Sequence, residues 1–152
     1  MNNHQENLFK LLNKELELLA KSVTVLRYSF TQCQHIGLKN TYTMPELSEF
    51  ESLSGRFARS SDILTQKVLK TLFILLQEDA KFFIDRCNLS EKMGLVENAD
   101  DLYAIRKLRN DIAHEYCLDD ITSIFKPLLD YSGLLLKIID DVAAYIQKLA
   151  KR

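Results

Sequence analysis

The chain has 152 residues, a length that suits one domain with a substantial hydrophobic core, and we expect a single domain over residues 1–152. Its composition, 47% apolar and 27% charged, excludes a disordered chain. The net charge of −1 excludes a global basic field, so any nucleic-acid binding must come from a local patch. Only 4 glycines and 2 prolines interrupt the sequence, which favours long helices. We therefore predict an all-α bundle of about five helices.

The three cysteines, Cys33, Cys87 and Cys117, are odd in number, widely spaced and without a C-x-x-C pair. This pattern argues against a disulfide framework or a zinc site, and we expect neither a metal nor a cofactor. Reduced thiols fit a cytoplasmic protein. The first residues lack the basic start and apolar core of a signal peptide, and no apolar run is long enough to span a bilayer. No contact with a membrane is therefore expected.

The first predicted helix runs from about Asn3 to Gln34. A stripe of mainly apolar residues recurs along it at helical spacing, which is typical of core packing, with a partner surface as the second interpretation. The stripe consists of Leu8, Leu11, Leu12, Glu15, Leu18, Leu19 and Val23. Gly37 is predicted to end the helix, because glycine readily adopts the left-handed conformation found after a last helical turn.

The second predicted helix opens at Thr43 and reaches Leu76 or beyond. Thr43 and Glu46 have the spacing of a capping box, and Pro45 suits the first turn. The run from residue 68 to 76 is apolar nearly all round, which indicates a helix that is buried on several sides. A monomer of this size struggles to supply such cover, so the run predicts a homodimer.

Three charged residues of the second helix, Arg56, Arg59 and Asp62, lie about one turn apart. One interpretation is an exposed ion pair, which stabilises a helix by only about 0.2–0.5 kcal/mol. The other is a second grip on a phosphate, or a pair that positions a later helix. The sequence leaves these interpretations open.

Three more helices are predicted in the second half of the chain. The third covers about Glu78 to Met93, and the fourth begins at a cap formed by Asn98 or Asp100. The last helix runs from about residue 120 to 149. Pro127 lies inside it and is expected to kink it, because proline removes a backbone donor.

The chemistry of the chain is concentrated between residues 106 and 116, on the fourth helix. Asn110 and His114 are four residues apart, close enough for a hydrogen bond that fixes the imidazole tautomer. Arg109 and His114 are five apart, which places them about 140° from each other round an ideal helix. They can act together if the arginine reaches round the helix, if the helix frays at His114, or if two protomers face each other.

These residue types suit metal-free cleavage of an RNA phosphodiester. The guanidinium of Arg109 can grip a phosphate with its planar fork and stabilise the charge that grows on phosphorus. His114 can take the proton of the 2′-hydroxyl. The phenol of Tyr116 can donate a hydrogen bond or carry a modification. The alternative is a helix with an Asn110–His114 contact and solvated charges.

The segment Arg109-Asn-Asp-Ile-Ala-His114-Glu-Tyr116 resembles the Arg-x4-His-x-Tyr signature of the HEPN superfamily. In particular, it is similar to the prokaryotic HEPN toxins that are paired with a minimal nucleotidyltransferase antitoxin, the HEPN/MNT pairs. A second stretch, Gly55-Arg-Phe-Ala-Arg-Ser-Ser-Asp62, resembles the polar middle of the second helix in such toxins. Residues from about 45 to 120 carry the resemblance, and the first helix matches only as a long helix.

The resemblance implies a metal-independent endoribonuclease toxin that acts on RNA as an antiparallel homodimer. Arg109 and His114 would be catalytic and would meet near the dimer interface, with Asn110 orienting the imidazole. The cognate nucleotidyltransferase antitoxin would silence the toxin by transferring AMP from ATP to Tyr116. The residues expected to support the site are Arg56, Arg59 and Asp62.

Two other functions compete with this hypothesis. One is a catalytically silent HEPN module that binds nucleotide or substrate within a nucleotidyltransferase complex. The other is a plain helical interaction subunit without an active site. The presence of both Arg109 and His114 argues against the second, because an inactive relative more often loses one of them.

Overall fold

The computed structural model describes residues 2–114 and 121–152, and within these ranges it is helical with no β-strand. Five helical segments follow one another in this described part of the chain. They are α1 (Asn3–Ile36); α2 (Met44–Asp62), continued by a π-helical turn (Ile63–Val68) and α3 (Leu69–Leu75); α4 (Phe83–Lys92); α5 (Ala99–Ala113); and α6 (Phe125–Ala150), which a 3₁₀ turn (Ile121–Ile124) precedes. The predicted all-α bundle of about five helices is confirmed. None of the described helices has the length and apolarity needed to cross a membrane.

Only part of the stripe predicted along α1 is buried. Leu12 and Leu19 lie in the core, whereas Leu11 and Leu18 are 47% and 44% exposed. The assignment of Leu11 and Leu18 to the core was wrong, because helical spacing gives the direction of the buried face but not its width. The end of the helix is as predicted, since Gly37 follows it with a φ of 70°.

Buried polar contacts join α1 to the second segment along much of its length. The Ser60 hydroxyl donates to the Ser22 hydroxyl at 2.9 Å, and the Thr71 hydroxyl donates to the Glu15 carboxylate. All four residues are buried, and we call them the polar seam. A buried hydroxyl that loses its partner costs about 1–3 kcal/mol. The polar seam therefore fixes how far α1 is shifted along the second segment.

The second segment begins as predicted but needs no second copy to cover it. Thr43 and Glu46 form the capping box, with backbone-to-side-chain distances of 2.8 and 3.3 Å. In the apolar run from residue 68 to 76, Leu72 and Phe73 are buried within the one chain, and Ile74 is 48% exposed. The cover that the sequence assigned to a partner is thus supplied by the monomer. The homodimer stays a prediction, and this run does not support it.

Two features of the later helices differ from the predictions. The third helix begins at Phe83 rather than near Glu78, because Gln77 adopts a left-handed φ of 59° and the chain turns there. Pro127 is the third residue of α6, so it lies in the first turn and not in the interior. The predicted interior kink was wrong, because a first-turn residue has no intrahelical acceptor for its N–H in any case.

Three aromatic rings tie the loop after α1 to α2 and to the start of α6. Phe50 and Phe125 stack with their centroids 4.0 Å apart, and the ring of Tyr42 meets both of them edge to face. Phe50 is fully buried and Phe125 is 1% exposed. This cluster fixes the position of α6 from its first residue onward.

Two of the cysteines are buried and free, and Cys117 lies outside the described residues. Burial, with a contribution from Glu49, raises the pKa of the Cys33 thiol to about 12. Burial also raises the pKa of Cys87 to about 12, against the opposing effect of Arg86. Both thiols therefore stay protonated at neutral pH, and neither is a candidate nucleophile.

Candidate active site at the end of α5

One face of α5 is buried, and the polar residues of the motif lie away from it. Asn98 caps the helix by accepting a hydrogen bond from the Asp100 backbone N–H at 2.9 Å, which decides between the two predicted caps. Arg109 is partly exposed and Asn110 is exposed. The buried face of α5 consists of Leu102, Ile105, Leu108 and Ile112.

His114 is the residue at which α5 ends. The helix closes at Ala113, and His114 follows as its C-terminal cap with φ −111° and ψ 16°. Its backbone N–H donates to the Asp111 carbonyl at 3.1 Å, and the residue is exposed. An end of the helix at His114 was one of the three possibilities for Arg109 and His114, and α5 does end there; a site shared between two protomers stays a prediction. The imidazole therefore projects from a backbone that is no longer helical, and the ideal angle of about 140° does not apply to it.

Arg109 is held by a carboxylate from another helix. Its Nε and Nη2 atoms donate to Oδ1 and Oδ2 of Asp62, both at 2.8 Å, in a bidentate pair. The two side chains are 29% and 36% exposed, so the pair lies at the surface but is partly shielded from water. The hydrogen bonds to Asp62 raise the pKa of Arg109, which stays charged. Because Asp62 occupies the Nε–Nη2 edge, the Nη1 end of the guanidinium points away from it.

A second guanidinium lies beside the same carboxylate. Nη1 of Arg106 is 3.9 Å from Oδ1 of Asp62, at the outer limit of an ion pair. Arg106 and Arg109 thus share one negative partner, and the cluster keeps a net positive charge. The sequence placed Arg106 in the polar stretch but not in the site, since the position of Asp62 beside it depends on the packing of α2 against α5.

The backbone changes its helical geometry directly after Asp62. The π-helical turn (Ile63–Val68) follows α2 without a break, and π turns inside helices are frequent at functional sites. Gln66, within this turn, accepts a hydrogen bond from Nη2 of Arg86 at 3.2 Å. This turn was not predicted, because its residues include neither a glycine nor a proline that would mark a change of helical geometry.

Arg86 is a buried cation that sequence reasoning missed. It is 4% exposed, and its Nη1 atom donates to the carbonyls of Ala80 and Lys81 at 3.2 and 2.8 Å. Burial lowers the pKa of this guanidinium, as desolvation of a charge must. Arg86 therefore connects the loop before α4 to the π-helical turn that follows Asp62.

Of the other predicted supporting residues, Arg56 contacts α1 and Arg59 faces solvent. The Arg56 guanidinium donates to the Ser29 hydroxyl at 2.6 Å and to the Val25 carbonyl at 3.4 Å, so it binds α1. Arg59 is exposed, and Asp62 pairs with arginines of α5 rather than with this neighbour on its own helix. Of the three, Asp62 alone is brought to Arg109 in the described structure.

Tyr116, the predicted site of modification, lies outside the described residues. Comparisons of the chain with family models, with curated proteins and with solved structures give no match. The case for a function therefore depends on the residues themselves and on the geometry given above.

Proposed function

We propose that this protein is a metal-independent endoribonuclease of the HEPN kind that acts on RNA in the cytoplasm. The observation that carries the proposal is the bidentate grip of Asp62 on Arg109, five residues before His114 at the exposed end of α5. An oriented guanidinium and an accessible imidazole on one helix end are the two groups that this reaction needs.

In the proposed reaction, His114 accepts the proton of the 2′-hydroxyl as its oxygen attacks the adjacent phosphorus. The bond from phosphorus to the 5′-oxygen breaks, and that oxygen takes up a proton from water as it leaves. The products are a 2′,3′-cyclic phosphate and a 5′-hydroxyl. Arg109 stabilises the negative charge on the non-bridging oxygens, which is greatest in the transition state.

Asp62 serves this reaction as a positioning residue. Its carboxylate holds the Nε–Nη2 edge of Arg109 and leaves the Nη1 end for a phosphate oxygen. A pre-oriented guanidinium loses little freedom when substrate binds, so more of its interaction remains for the transition state. Arg106, 3.9 Å from the same carboxylate, supplies the positive charge that offsets Asp62.

Cleavage without a metal is the direct test. We expect the purified protein to cut RNA in EDTA, to spare DNA of the same sequence because it lacks the 2′-hydroxyl, and to leave a 2′,3′-cyclic phosphate. Mass spectrometry of the fragments identifies that end. Loss of activity in EDTA with recovery in Mg²⁺ would contradict the mechanism. Binding of RNA without cleavage would instead favour a silent HEPN module.

The resemblance also supports a proposal about partners: a homodimer, and a nucleotidyltransferase antitoxin that transfers AMP to Tyr116. Tyr116 follows His114 by two positions in the sequence, and an AMP on its phenol adds a negative phosphodiester that competes with RNA phosphate for Arg109. Incubation with a minimal nucleotidyltransferase of the antitoxin kind, ATP and Mg²⁺ should add AMP to Tyr116 and abolish cleavage, as measured by intact-protein mass and peptide mapping. The exposed Tyr28 provides the control, and Tyr28→Phe should be modified like the parent. If Tyr116→Phe is silenced as fully as the parent, control does not run through this phenol.

A further inference from the structure

Aromatic and cationic side chains alternate where the start of α4 meets α5. The Arg106 guanidinium carbon lies 5.4 Å from the Phe83 ring centroid, and the rings of Phe83 and Tyr103 meet edge to face at 5.9 Å. Next to them along the chain, the Lys81 ammonium lies 5.7 Å from the ring centre of Phe82, which is 64% exposed. We call Phe82, Phe83, Tyr103 and Arg106 the aromatic face.

The aromatic face is continuous with the proposed active site. Arg106 is common to both, since its guanidinium packs on Phe83 and its Nη1 atom lies 3.9 Å from the carboxylate that holds Arg109. A nucleotide chain with one phosphate at Arg109 therefore reaches these rings with its neighbouring nucleotides. No other helix end of the described structure combines a guanidinium stacked on a ring with an exposed aromatic residue.

Accessible aromatic rings beside cationic side chains have a known ligand chemistry. Unpaired bases stack on aromatic side chains and on the plane of a guanidinium, and this stacking tolerates any base because every base has a π-face. A base inside a duplex is already stacked on its neighbours and cannot lie on a protein ring. The chemistry of the face thus distinguishes single-stranded from double-stranded nucleic acid.

We propose that the aromatic face binds unpaired bases of single-stranded RNA beside the phosphate that Arg109 contacts. The inference deepens the proposed function and rests on it, because it assigns the substrate class of the same site. It adds base contacts to a site whose other groups recognise only the backbone.

The charges around the face give the bound strand an orientation. The Asp85 carboxylate accepts a hydrogen bond from the Phe82 backbone N–H at 3.3 Å, and burial together with nearby acidic groups, Asp100 and Asp85 among them, raises the pKa of the Tyr103 phenol, so carboxylates border this end of the face. They repel phosphate, whereas Arg106 at the other end attracts it. The sugar–phosphate backbone therefore runs along the arginines, and the bases cover the rings.

Binding of short labelled oligonucleotides, followed by fluorescence anisotropy, tests the proposal without relying on cleavage. The His114→Ala protein is used so that the probe stays intact. The probes are oligoadenylate, the same backbone with abasic sites, and an RNA duplex. We expect oligoadenylate to bind best, and Phe82→Ala and Phe83→Leu each to weaken its binding by roughly tenfold.

Ile84 supplies a matched control, because it lies on the same helix and is 54% exposed but has no ring. Ile84→Ala should bind oligoadenylate like the parent, and Phe82→Ala should bind the abasic probe like the parent. Equal binding of oligoadenylate by Phe82→Ala and the parent overturns the proposal. The proposal is also overturned if Phe82→Ala changes the mass of the protein in solution but leaves its RNA affinity unchanged. That result would mean that the aromatic face contacts another protein chain.

The two proposals fail in different ways. If the parent protein cleaves RNA but its binding of RNA does not depend on Phe82, the proposed function stands and the proposal about the aromatic face is wrong. If the parent protein binds oligoadenylate through Phe82 but never cleaves it, the proposal about the aromatic face stands and the catalytic mechanism is wrong.

Discussion

Replacing either His114 or Arg109 by alanine is expected to lower the rate of RNA cleavage by roughly 10²–10⁴-fold while leaving the fold intact. His114 is exposed beyond the last helical turn, and Arg109 pairs with Asp62 at the surface, so neither side chain fills the core. The loss arises because His114→Ala removes the proposed proton acceptor. Arg109→Ala removes the charge that stabilises the transition state. Initial rates on a fluorogenic RNA, with circular dichroism to check the fold, measure the effect.

The chain contains a matched control for each variant. His35 lies in the last turn of α1 and is exposed, as His114 is at the end of α5. Arg27 donates to both oxygens of Asp140 at 3.1 and 3.0 Å, so it is also an arginine paired with an aspartate. His35→Ala and Arg27→Ala should cleave RNA like the parent. Cleavage by His114→Ala at the parental rate would show that the site is elsewhere.

Mixing the two inactive variants separates a shared site from a site within one protomer. If Arg109 of one protomer acts with His114 of the other, a mixed dimer retains one intact pair, and mixing His114→Ala with Arg109→Ala restores cleavage. If each chain carries a complete site, the mixture stays inactive. Light scattering on the same samples reports the oligomeric state independently.

Phe50→Ala is expected to reduce the free energy of unfolding by about 3–5 kcal/mol, a large part of the stability of a domain of this size. Phe50 is fully buried and stacks on Phe125 at 4.0 Å, with Tyr42 against its edge. The substitution leaves a cavity where α2 meets the start of α6, and the two remaining rings lose their common partner. Urea unfolding followed by circular dichroism gives the change from the midpoint and slope of the transition.

Phe82→Ala serves as the control for this measurement, since it removes a ring that is 64% exposed. It should change the stability by no more than about 0.5 kcal/mol. A loss of less than about 1 kcal/mol for Phe50→Ala would mean that the bundle repacks around the missing ring, and the aromatic cluster would not be what positions α6.

The sequence predicted those features that local interactions determine. The capping box of Thr43 and Glu46 and the stop at Gly37 involve residues within a few positions of each other, so their patterns are visible in one dimension. The helical class and the number of helices follow from such local signals together with the apolar spacing. The helix end at His114 was among the possibilities considered, but spacing alone did not select it.

Features that depend on contacts between distant segments were not predictable in this way. Asp62 and Arg109 are 47 positions apart, and nothing in either segment shows that they meet rather than pairing with neighbours. The burial of Arg86 depends on the fold of the loop whose carbonyl groups it binds, and the sequence does not show that fold. The cover of the run from residue 68 to 76 was misjudged, because periodicity shows that a helix is buried but not which chain buries it.

The polar seam fixes the position of α1 along the axis of the second helical segment. A slide of α1 by one turn, about 5.4 Å, would separate Ser22 from Ser60 and Glu15 from Thr71 at the same time. Because both pairs are buried, such a slip would leave several polar groups without partners, whereas an all-leucine interface would tolerate it more readily. Asp62, two residues after Ser60, is thus kept at one height relative to α1. The Asp62 carboxylate, which orients Arg109, therefore owes its position along the bundle to hydroxyl groups of its own helical segment that bind α1.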